Sequence, residues 1–259
     1  MSADLSPIGP EDRRHTWRAV GQALTRPYPV TAPMVLLLCL VPVYLVIARR
    51  ARVGAAHVPA LSLDRLLPLE PAWAVVYGAL YVWLIATPVL VVQQRELIRR
   101  TVWAYVTVWS VSYVCFLVYP TVAPRPDTVA GDEFAAWGLR VLYDADPPYN
   151  CFPSIHVAHS FVSALACHRV HRSLGRAAVV IASLVALSTL FTKQHYVADV
   201  IAGIALALAA NAMFLRNYSR ANISATDSRL APALALCAAG VVAVGLACAW
   251  LVYRWTMWA

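Results

Sequence analysis

The segment CFPSIHVAHSFVSAL, residues 151–165, has the composition of a membrane helix but carries side chains that membrane helices seldom contain. Most of its residues are apolar, yet it includes His156, His159 and three serines. An ionisable group inside the hydrocarbon layer is costly and is by default a functional candidate. The segment therefore predicts a membrane helix that contributes to a functional site.

The composition of the whole chain indicates an integral membrane protein. Of the 259 residues, 61% are hydrophobic and 13% are charged, which lies outside the range of soluble domains. Because lipid offers backbone groups no hydrogen-bond partners, helices are the simplest spanning elements, and we expect an all-α, polytopic membrane helix bundle. Seven apolar runs are about long enough to cross a ~30 Å hydrocarbon core. They are residues 32–48, 72–92, 102–119, 155–170, 177–192, 197–215 and 230–253.

The distribution of positive charge predicts the orientation. Lys and Arg are more frequent on the side that would hold residues 1–31, 93–100, 168–176 and 216–229. This side is therefore expected to be cytoplasmic. Arg49, Arg50 and Arg52 lie on the opposite side and argue against that orientation. The net charge of +8 fits positive loops that face anionic lipid. The sequence contains no stripe of basic residues with aromatic residues between them, so we expect no nucleic-acid partner.

If successive apolar runs cross the membrane in opposite directions, five unusual polar residues lie at one membrane face. Arg125 follows the third run, Ser154 and His156 begin the fourth, and His195 and Asp199 lie between the fifth and the sixth. The coincidence follows from the topology and does not depend on a motif. This face is therefore the predicted location of a site.

The sequence HYVAD places His195 and Asp199 four residues apart, so that both lie on one face of a helix. A carboxylate at this spacing can accept the ring N–H of the imidazole, which leaves the other ring nitrogen as a nucleophile or general base. A structural pair that caps the sixth span explains this short pattern equally well.

The residues PSIH, 153–156, provide the chemistry of a helix start. The hydroxyl of Ser154 and the free backbone N–H groups, that of Ile155 among them, predict an anion site that His156 also reaches. Ser154 could instead be a simple N-cap.

Two cations lie close to the same face. Arg125, between two prolines, offers a planar fork of donors that suits a phosphate, and Lys193 adds a point charge two residues before His195. Both could also be interfacial side chains that extend toward water. His159 lies one turn from His156 and makes a metal site conceivable, but the two cations favour an anion. We therefore expect no metal and no cofactor.

These residues together predict phosphoryl transfer. His195 would attack phosphorus to form a phosphohistidine, and Asp199 would stabilise the imidazolium. His156 would protonate the leaving oxygen and later deprotonate the acceptor. Arg125, Ser154 and the other phosphate-binding groups would hold the charge that spreads over the phosphoryl oxygens.

Three ordered segments resemble the motifs of the type 2 phosphatidic acid phosphatase superfamily, which includes lipid phosphate phosphatases and, more distantly, vanadium haloperoxidases. The segments are YPTVAPRP (119–126), CFPSIH (151–156) and FTKQHYVADVIAG (191–203). The resemblance implies a six-helix core with its site at one membrane face. It also implies a phosphohistidine at His195, an acid/base at His156 and Asp199 as the partner of the nucleophile.

The chain departs from the usual motifs at three places. Val118 stands where the first motif has a lysine, Ile155 replaces the glycine of PSGH, and Ser188-Thr189 replaces a Ser-Arg pair. Lys193 could replace one of the missing cations. The form TKQHYVAD is more similar to the branch that contains inositol phosphorylceramide synthases, which transfer a phospho-headgroup to a lipid alcohol. Hydrolysis and transfer both remain open.

The predicted organisation has three parts. We expect a cytoplasmic N-terminal segment at 1–31, a six-helix catalytic membrane domain at 32–215, and a connecting loop with an extra C-terminal transmembrane helix at 216–259. The fold is thus a six-helix phosphatase-like core with a seventh transmembrane helix. The expected location is the inner or plasma membrane, with the N-terminus cytoplasmic and the site on the non-cytoplasmic face.

The predicted function is that of a metal-independent membrane phosphoesterase acting on a lipid phosphate or diphosphate. One alternative is a phosphotransferase that moves a phospho-headgroup to a lipid or polyol alcohol. Another, from a different class, is a transporter or non-catalytic scaffold that binds lipid phosphate. The expected partners are a phospholipid or isoprenoid phosphate substrate and membrane lipids, while the lipid itself and the oligomeric state do not follow from the sequence.

Overall fold

A computed structural model describes residues 10–29, 32–51 and 56–258, and within these ranges the chain forms helices and no strands. Residues 1–9 of the predicted N-terminal segment, Arg52, and the side chains of Arg13, Arg14, Arg49 and Arg50 lie outside the described parts. The helices are α1 (Pro10–Leu24), α2 (Ala32–Ala51), α3 (Ala72–Val91), α4 (Arg95–Val118), α5 (Phe134–Ala145), α6 (Ile155–Val170), α7 (Arg172–Phe191), α8 (Val197–Ala210) and α9 (Ala225–Trp258).

Five of the described helices are long and apolar enough to cross a membrane. They are α3, α4, α7, α8 with the turn that follows it (Val197–Leu215), and α9 over Ala225–Met257. A shorter apolar stretch, Ala32–Ala48, lies in α2. The predicted all-α bundle of membrane helices is confirmed, and the apolar helices are those of an integral membrane protein.

The central helix of the bundle is α6, which packs against α3, α4, α7 and α8. It has 16 residues, and most of them are buried. At its crossing with α8, a Cβ added to Gly203 would lie 2.7 Å from the carbonyl oxygen of Ser154. Glycine is therefore what allows the beginning of α6 to approach α8 so closely. The backbone N–H of Ser154 donates to the carbonyl of Asp199 at 3.1 Å and joins the same two helix starts.

One end of the bundle gathers several helix termini. There α4 and α7 end, and α3, α6 and α8 begin. The connection between α4 and α6 lies at this end and contains α5, a short helix that was not predicted from the sequence. Thr121 fixes the chain ahead of α6, because its Oγ1 accepts hydrogen bonds from the backbone N–H groups of Cys151 at 2.9 Å and Phe152 at 3.1 Å.

Helix α9 packs along α3 and contacts both ends of the bundle. In the middle, the indole N–H of Trp83 donates to the carbonyl of Ala235 at 3.0 Å. At the far end, Asp227 accepts hydrogen bonds from Arg26 at 3.2 Å and Gln94 at 2.6 Å. At the end that holds α5, Phe134 contacts two aromatic rings of α9, Trp250 and Tyr253.

Candidate active site

The end of α7 fixes the backbone ahead of the predicted nucleophile. Lys193 has a left-handed conformation, φ +53°. Its N–H bonds to the carbonyl of Leu190 at 3.1 Å, and the N–H of Gln194 bonds to that of Thr189 at 2.9 Å. These are the hydrogen bonds of a Schellman motif. The N–H of His195 bonds to the same Thr189 carbonyl at 3.2 Å, so the histidine leaves α7 in a defined direction.

The first turn of α8 holds Asp199 in position beside His195. The carboxylate oxygen Oδ2 of Asp199 accepts a hydrogen bond from the backbone N–H of Tyr196 at 2.8 Å and lies 3.3 Å from Nδ1 of His195. Asp199 is fully buried. Because a carboxylate can only accept, the proton of the imidazole is placed on Nδ1 and the lone pair on Nε2. From the loop before α3, Asp64 accepts the N–H of Val197 at 2.9 Å and caps the same helix.

His156 meets this pair from the first turn of α6. Its Nδ1 lies 3.3 Å from Nε2 of His195. The edges of two tyrosine rings pack against its imidazole, Tyr77 at 5.6 Å and Tyr81 at 5.1 Å between ring centroids. The structure thus brings the two predicted histidines and the predicted acid into one continuous row.

Ser154 is the N-cap residue of α6, as one of the two sequence readings proposed. Its Oγ accepts the N–H of Val157 at 3.3 Å, and the residue is fully buried. The first N–H groups of an α-helix, those of Ile155 and His156 here, have no carbonyl partner within the helix. This turn combines free donors with the positive end of the helix dipole, which suits an anion.

A cavity of about 100 Å³ lies between these groups. Its lining combines both histidines with aromatic rings and polar side chains. The residues are Tyr44, Tyr81, Trp109, Asp146, Asn150, Ile155, His156 and His195.

Neither predicted cation lines the cavity. Arg125 donates through Nη1 to the carbonyls of Tyr143 at 3.2 Å and Asp146 at 2.6 Å, and its guanidinium stacks on the Tyr143 ring at 4.5 Å. The ammonium of Lys193 donates to the carbonyl of Leu67. Both side chains hold loops together at this end of the bundle, and their phosphate-binding roles stay predictions.

Comparison with known proteins agrees with this arrangement of helices and motifs. The family model described as PAP2 superfamily matches residues 45–213. The chain belongs to the PAP2 superfamily. This match includes all three motif segments.

A PA-phosphatase related-family protein of Dictyostelium discoideum is similar to this PAP2 protein. The two are 24% identical over 118 residues, which cover 41% of this chain and 21% of that protein. The match therefore spans about a fifth of the length of that curated relative. No solved structure matches the chain.

Among the residues that the structure describes, one group of potential metal ligands lies at the candidate site. Donor atoms of Cys151, His195 and Asp199 lie within 4.8 Å of one another. The sequence analysis did not connect Cys151 with the histidine. Metal binding requires the thiolate, whereas burial, followed by the nearby carboxylate of Asp199, raises the pKa of the Cys151 thiol. The donor set thus fits a metal poorly, and the expectation of a metal-free site stays a prediction.

Several residues of the PAP2 site were missed by the sequence analysis. The hydroxyl of Tyr44 on α2 donates to the carboxylate of Asp146 at 2.7 Å, and Asn150 lines the same cavity. Asp64, which caps α8, comes from a third part of the chain. No spacing rule connects these positions, because each lies on a different segment.

Proposed function

We propose that this protein is a membrane lipid phosphatase that acts on a lipid phosphate or diphosphate through a phosphohistidine at His195, without a metal. The observation that carries the proposal is the orientation of one imidazole. Asp199 holds Nδ1 of His195, which leaves Nε2 beside the cavity, 3.3 Å from the second imidazole of His156.

The reaction follows from these positions in two steps. Nε2 of His195 attacks phosphorus, the bond from phosphorus to the lipid oxygen breaks, and His156 transfers its proton to that oxygen. Asp199 stabilises the positive charge that forms on the His195 ring. In the second step, His156 accepts a proton from water while the water oxygen attacks phosphorus, which breaks the bond to nitrogen and releases phosphate.

The negative charge on the phosphoryl oxygens requires donors around them. The N–H groups that begin α6, at Ile155 and His156, and the hydroxyl of Ser154 would supply them. Arg125 would add its Nε, which is buried and has no hydrogen-bond partner among the described residues. Lys193 would contribute a long-range positive charge.

The site lies at the end of the bundle where α2 ends and α3 begins. With the orientation predicted from charge, this end is non-cytoplasmic and the N-terminus is cytoplasmic. The proposed location is the inner or plasma membrane, and residues 32–215 would form the catalytic domain.

A second candidate is a phosphotransferase, in which an alcohol takes the place of water in the second step. The small aromatic-lined cavity of about 100 Å³ favours it, because such a cavity limits access of bulk water to the phosphohistidine. Turnover in the presence of a second alcohol distinguishes the candidates. Transfer gives a product that contains the added alcohol, and hydrolysis gives free phosphate.

The test of the proposal is phosphate release from a panel of lipid phosphates and diphosphates by purified protein in detergent with a chelator present. His195→Ala should lower kcat by at least about 1000-fold, as loss of a catalytic nucleophile does elsewhere. His168→Ala is the matched control, because His168 lies at the opposite end of α6 and should leave the rate within about twofold.

A folded His195→Ala protein that retains wild-type turnover would contradict the mechanism. It would leave a transporter or binding scaffold as the better explanation, since binding alone needs no oriented imidazole. If His168→Ala lost as much activity, the loss would reflect general damage to the helix bundle and not the removal of a nucleophile.

A further inference from the structure

Two polar side chains at the cavity have no partner to satisfy them. Asn150 is 4% exposed, and neither its amide nitrogen nor its amide oxygen has a hydrogen-bond partner in the part of the chain that the structure describes. The indole N–H of Trp109 is buried and likewise unpaired among those residues. Native proteins seldom leave buried polar groups in this state, and each instance requires an explanation. A ligand bound in the cavity would explain the unpaired groups at both positions.

The backbone at Asn150 is held in place by its neighbours. It is left-handed, φ +66°, a conformation that Asn adopts more readily than most residues. On one side, Tyr149 pairs with Val122 in an isolated β-bridge, and on the other the N–H of Cys151 donates to Thr121. Asn150 therefore lines the cavity from a loop that is fixed at both neighbouring residues.

Asp146 adds a carboxylate to the same wall. Its Oδ1 accepts the hydroxyl proton of Tyr44 at 2.7 Å, and its Oδ2 lies 3.8 Å from Nη2 of Arg125. A carboxylate oxygen can accept more than one hydrogen bond, so acceptor capacity remains. Asp146 is also the acid that lines the cavity beside the two histidines.

These groups do not suit a phosphate alone. A phosphate dianion carries only acceptors, so it can bind the N–H groups of Trp109 and Asn150. It cannot bind the amide oxygen of Asn150 or the carboxylate of Asp146, which both require a donor. A hydroxyl group can donate and accept, and it satisfies both kinds of atom. The aromatic rings of Tyr81 and Trp109 provide apolar surface for the carbon skeleton that carries such hydroxyls.

We propose that Trp109, Asp146 and Asn150 form a hydroxyl-binding subsite next to the phosphate position, so that the preferred substrate places a polyol in this cavity. The inference rests on the proposed function, which puts the phosphate between His156 and His195. The polyol has two sources, the head group of the lipid that donates the phosphate or a free alcohol that accepts it. Both present the same hydroxyls to the same atoms.

A binding experiment tests the subsite without turnover. The His195→Ala protein is titrated calorimetrically with glycerol 3-phosphate and with ethyl phosphate, which are matched phosphomonoesters that differ in their hydroxyls. We expect glycerol 3-phosphate to bind about tenfold more tightly, which corresponds to one good buried hydrogen bond. Adding Asn150→Leu, which keeps the side-chain size and removes the amide, should bring the ratio of the two dissociation constants to about one.

A second variant guards against misfolding of the first. Trp109→Phe in the His195→Ala background removes the indole N–H and keeps an aromatic ring. It should weaken glycerol 3-phosphate by about threefold to tenfold and leave ethyl phosphate unchanged within about twofold. Equal affinity of the two phosphomonoesters for the folded His195→Ala protein would overturn the subsite.

Turnover of the wild type separates this proposal from the function on which it rests. With phosphatidylglycerol phosphate and phosphatidate as substrates, Asn150→Leu should lower kcat/KM about tenfold for the first and less than about threefold for the second. Glycerol phosphate formed from phosphatidate plus free glycerol would assign the subsite to an acceptor, and its absence would assign it to the head group. If the wild-type protein turns over no substrate, yet binds glycerol 3-phosphate more tightly than ethyl phosphate, the catalytic proposal fails and the subsite proposal stands. If phosphatidate is hydrolysed and the preference is absent, water fills these positions and the subsite proposal fails.

Discussion

At the scale of single residues, the central feature is a carboxylate that fixes the tautomer of an imidazole. Asp199 is fully buried, and Oδ2 is shared between the backbone N–H of Tyr196 and Nδ1 of His195. The backbone bond anchors the carboxylate independently of the histidine. The acid can therefore orient the ring and stabilise its positive charge without moving.

Asp199→Asn removes the negative charge of the carboxylate and keeps the size of the side chain. The amide has almost the same size, and its oxygen can still accept from the backbone N–H of Tyr196 and from Nδ1 of His195, but it carries no negative charge to stabilise the positive ring. We expect kcat to fall by about 100-fold to 10,000-fold with little change in KM. Steady-state kinetics of phosphate release, with thermal melting to confirm the fold, provides the measurement.

Asp227→Asn is the control for this substitution. Asp227 is also a buried acid with two hydrogen-bond partners, but it lies at the opposite end of the bundle. Its replacement should lower the melting temperature and leave kcat unchanged within about threefold. Similar kcat values for Asp199→Asn and wild type would show that the carboxylate charge is not needed for the reaction.

At the scale of helices, the close crossing of α6 and α8 aligns the two histidines. His156 lies on the first turn of α6, and His195 lies two residues before the beginning of α8. Gly203 leaves room for the carbonyl of Ser154 at this crossing. The position of one histidine relative to the other thus depends on Gly203, which approaches the carbonyl of Ser154 and neither imidazole.

Gly203→Ala should therefore damage both stability and catalysis. The added Cβ would lie 2.7 Å from a backbone oxygen, so the helices must move apart. Overpacking of this kind costs about 1–3 kcal/mol in the free energy of unfolding, and a shift near 1 Å costs about 100-fold in rate. Denaturation in detergent and kcat of the folded fraction give the two values.

Gly240→Ala on α9 is the matched control. A Cβ at Gly240 would meet no atom within 4 Å, and alanine has the higher helix propensity. This protein should be as stable as the wild type or slightly more stable, with the same activity. Equal behaviour of the two alanine variants would mean that the crossing tolerates a methyl group and does not set the alignment.

At the scale of the whole molecule, α9 packs against α5 in the connection between α4 and α6, and this connection contributes Asp146 and Asn150 to the cavity wall. Near its end, Trp250 and Tyr253 pack on Phe134 at the start of α5. At the other end of α5, Tyr143 contacts the guanidinium of Arg125. Helix α9, which lies outside the motif segments, thus supports the connection that carries Arg125, Asp146 and Asn150.

Trp250→Ala should loosen this connection without touching the histidines. The ring of Trp250 lies 5.4 Å from that of Phe134, and aromatic pairs contribute about 0.5–1.5 kcal/mol beyond their buried area. We expect KM to rise about threefold to tenfold and kcat to stay within about threefold. Trp255→Ala on the same helix, where the side chain is 72% exposed, should change neither value. An unchanged KM in Trp250→Ala would show that α9 does not influence substrate binding.

The features that the sequence predicted are those that depend on neighbours in the chain. His195 and Asp199 are in contact as their spacing predicted, but His195 lies before Tyr196, the N-cap of α8, so the two residues do not share a helix. The helix start at Ser154 follows from capping chemistry. The apolar runs defined the helical bundle, because spanning elements must satisfy their own backbone groups in lipid. Their alternation also predicted the common face of His156 and His195.

The contacts that shape the cavity depend on segments far apart in the chain. Tyr44 and Asp146 are separated by 102 positions, and Asp64 caps α8 from 133 positions away. The side chain of Arg125, predicted from its motif as a phosphate ligand, donates to the end of α5, a helix that the sequence analysis did not place.

The sequence by itself thus determined the fold class and predicted the pairing of His195 with Asp199 and their position at one end of the bundle, because local spacing and hydrophobic period fix these. Only the tertiary structure decided which side chains surround the cavity and which of them lack partners among the described residues. The reason is physical: hydrogen bonds between loops depend on how helices cross, and crossing is set by packing at positions such as Gly203.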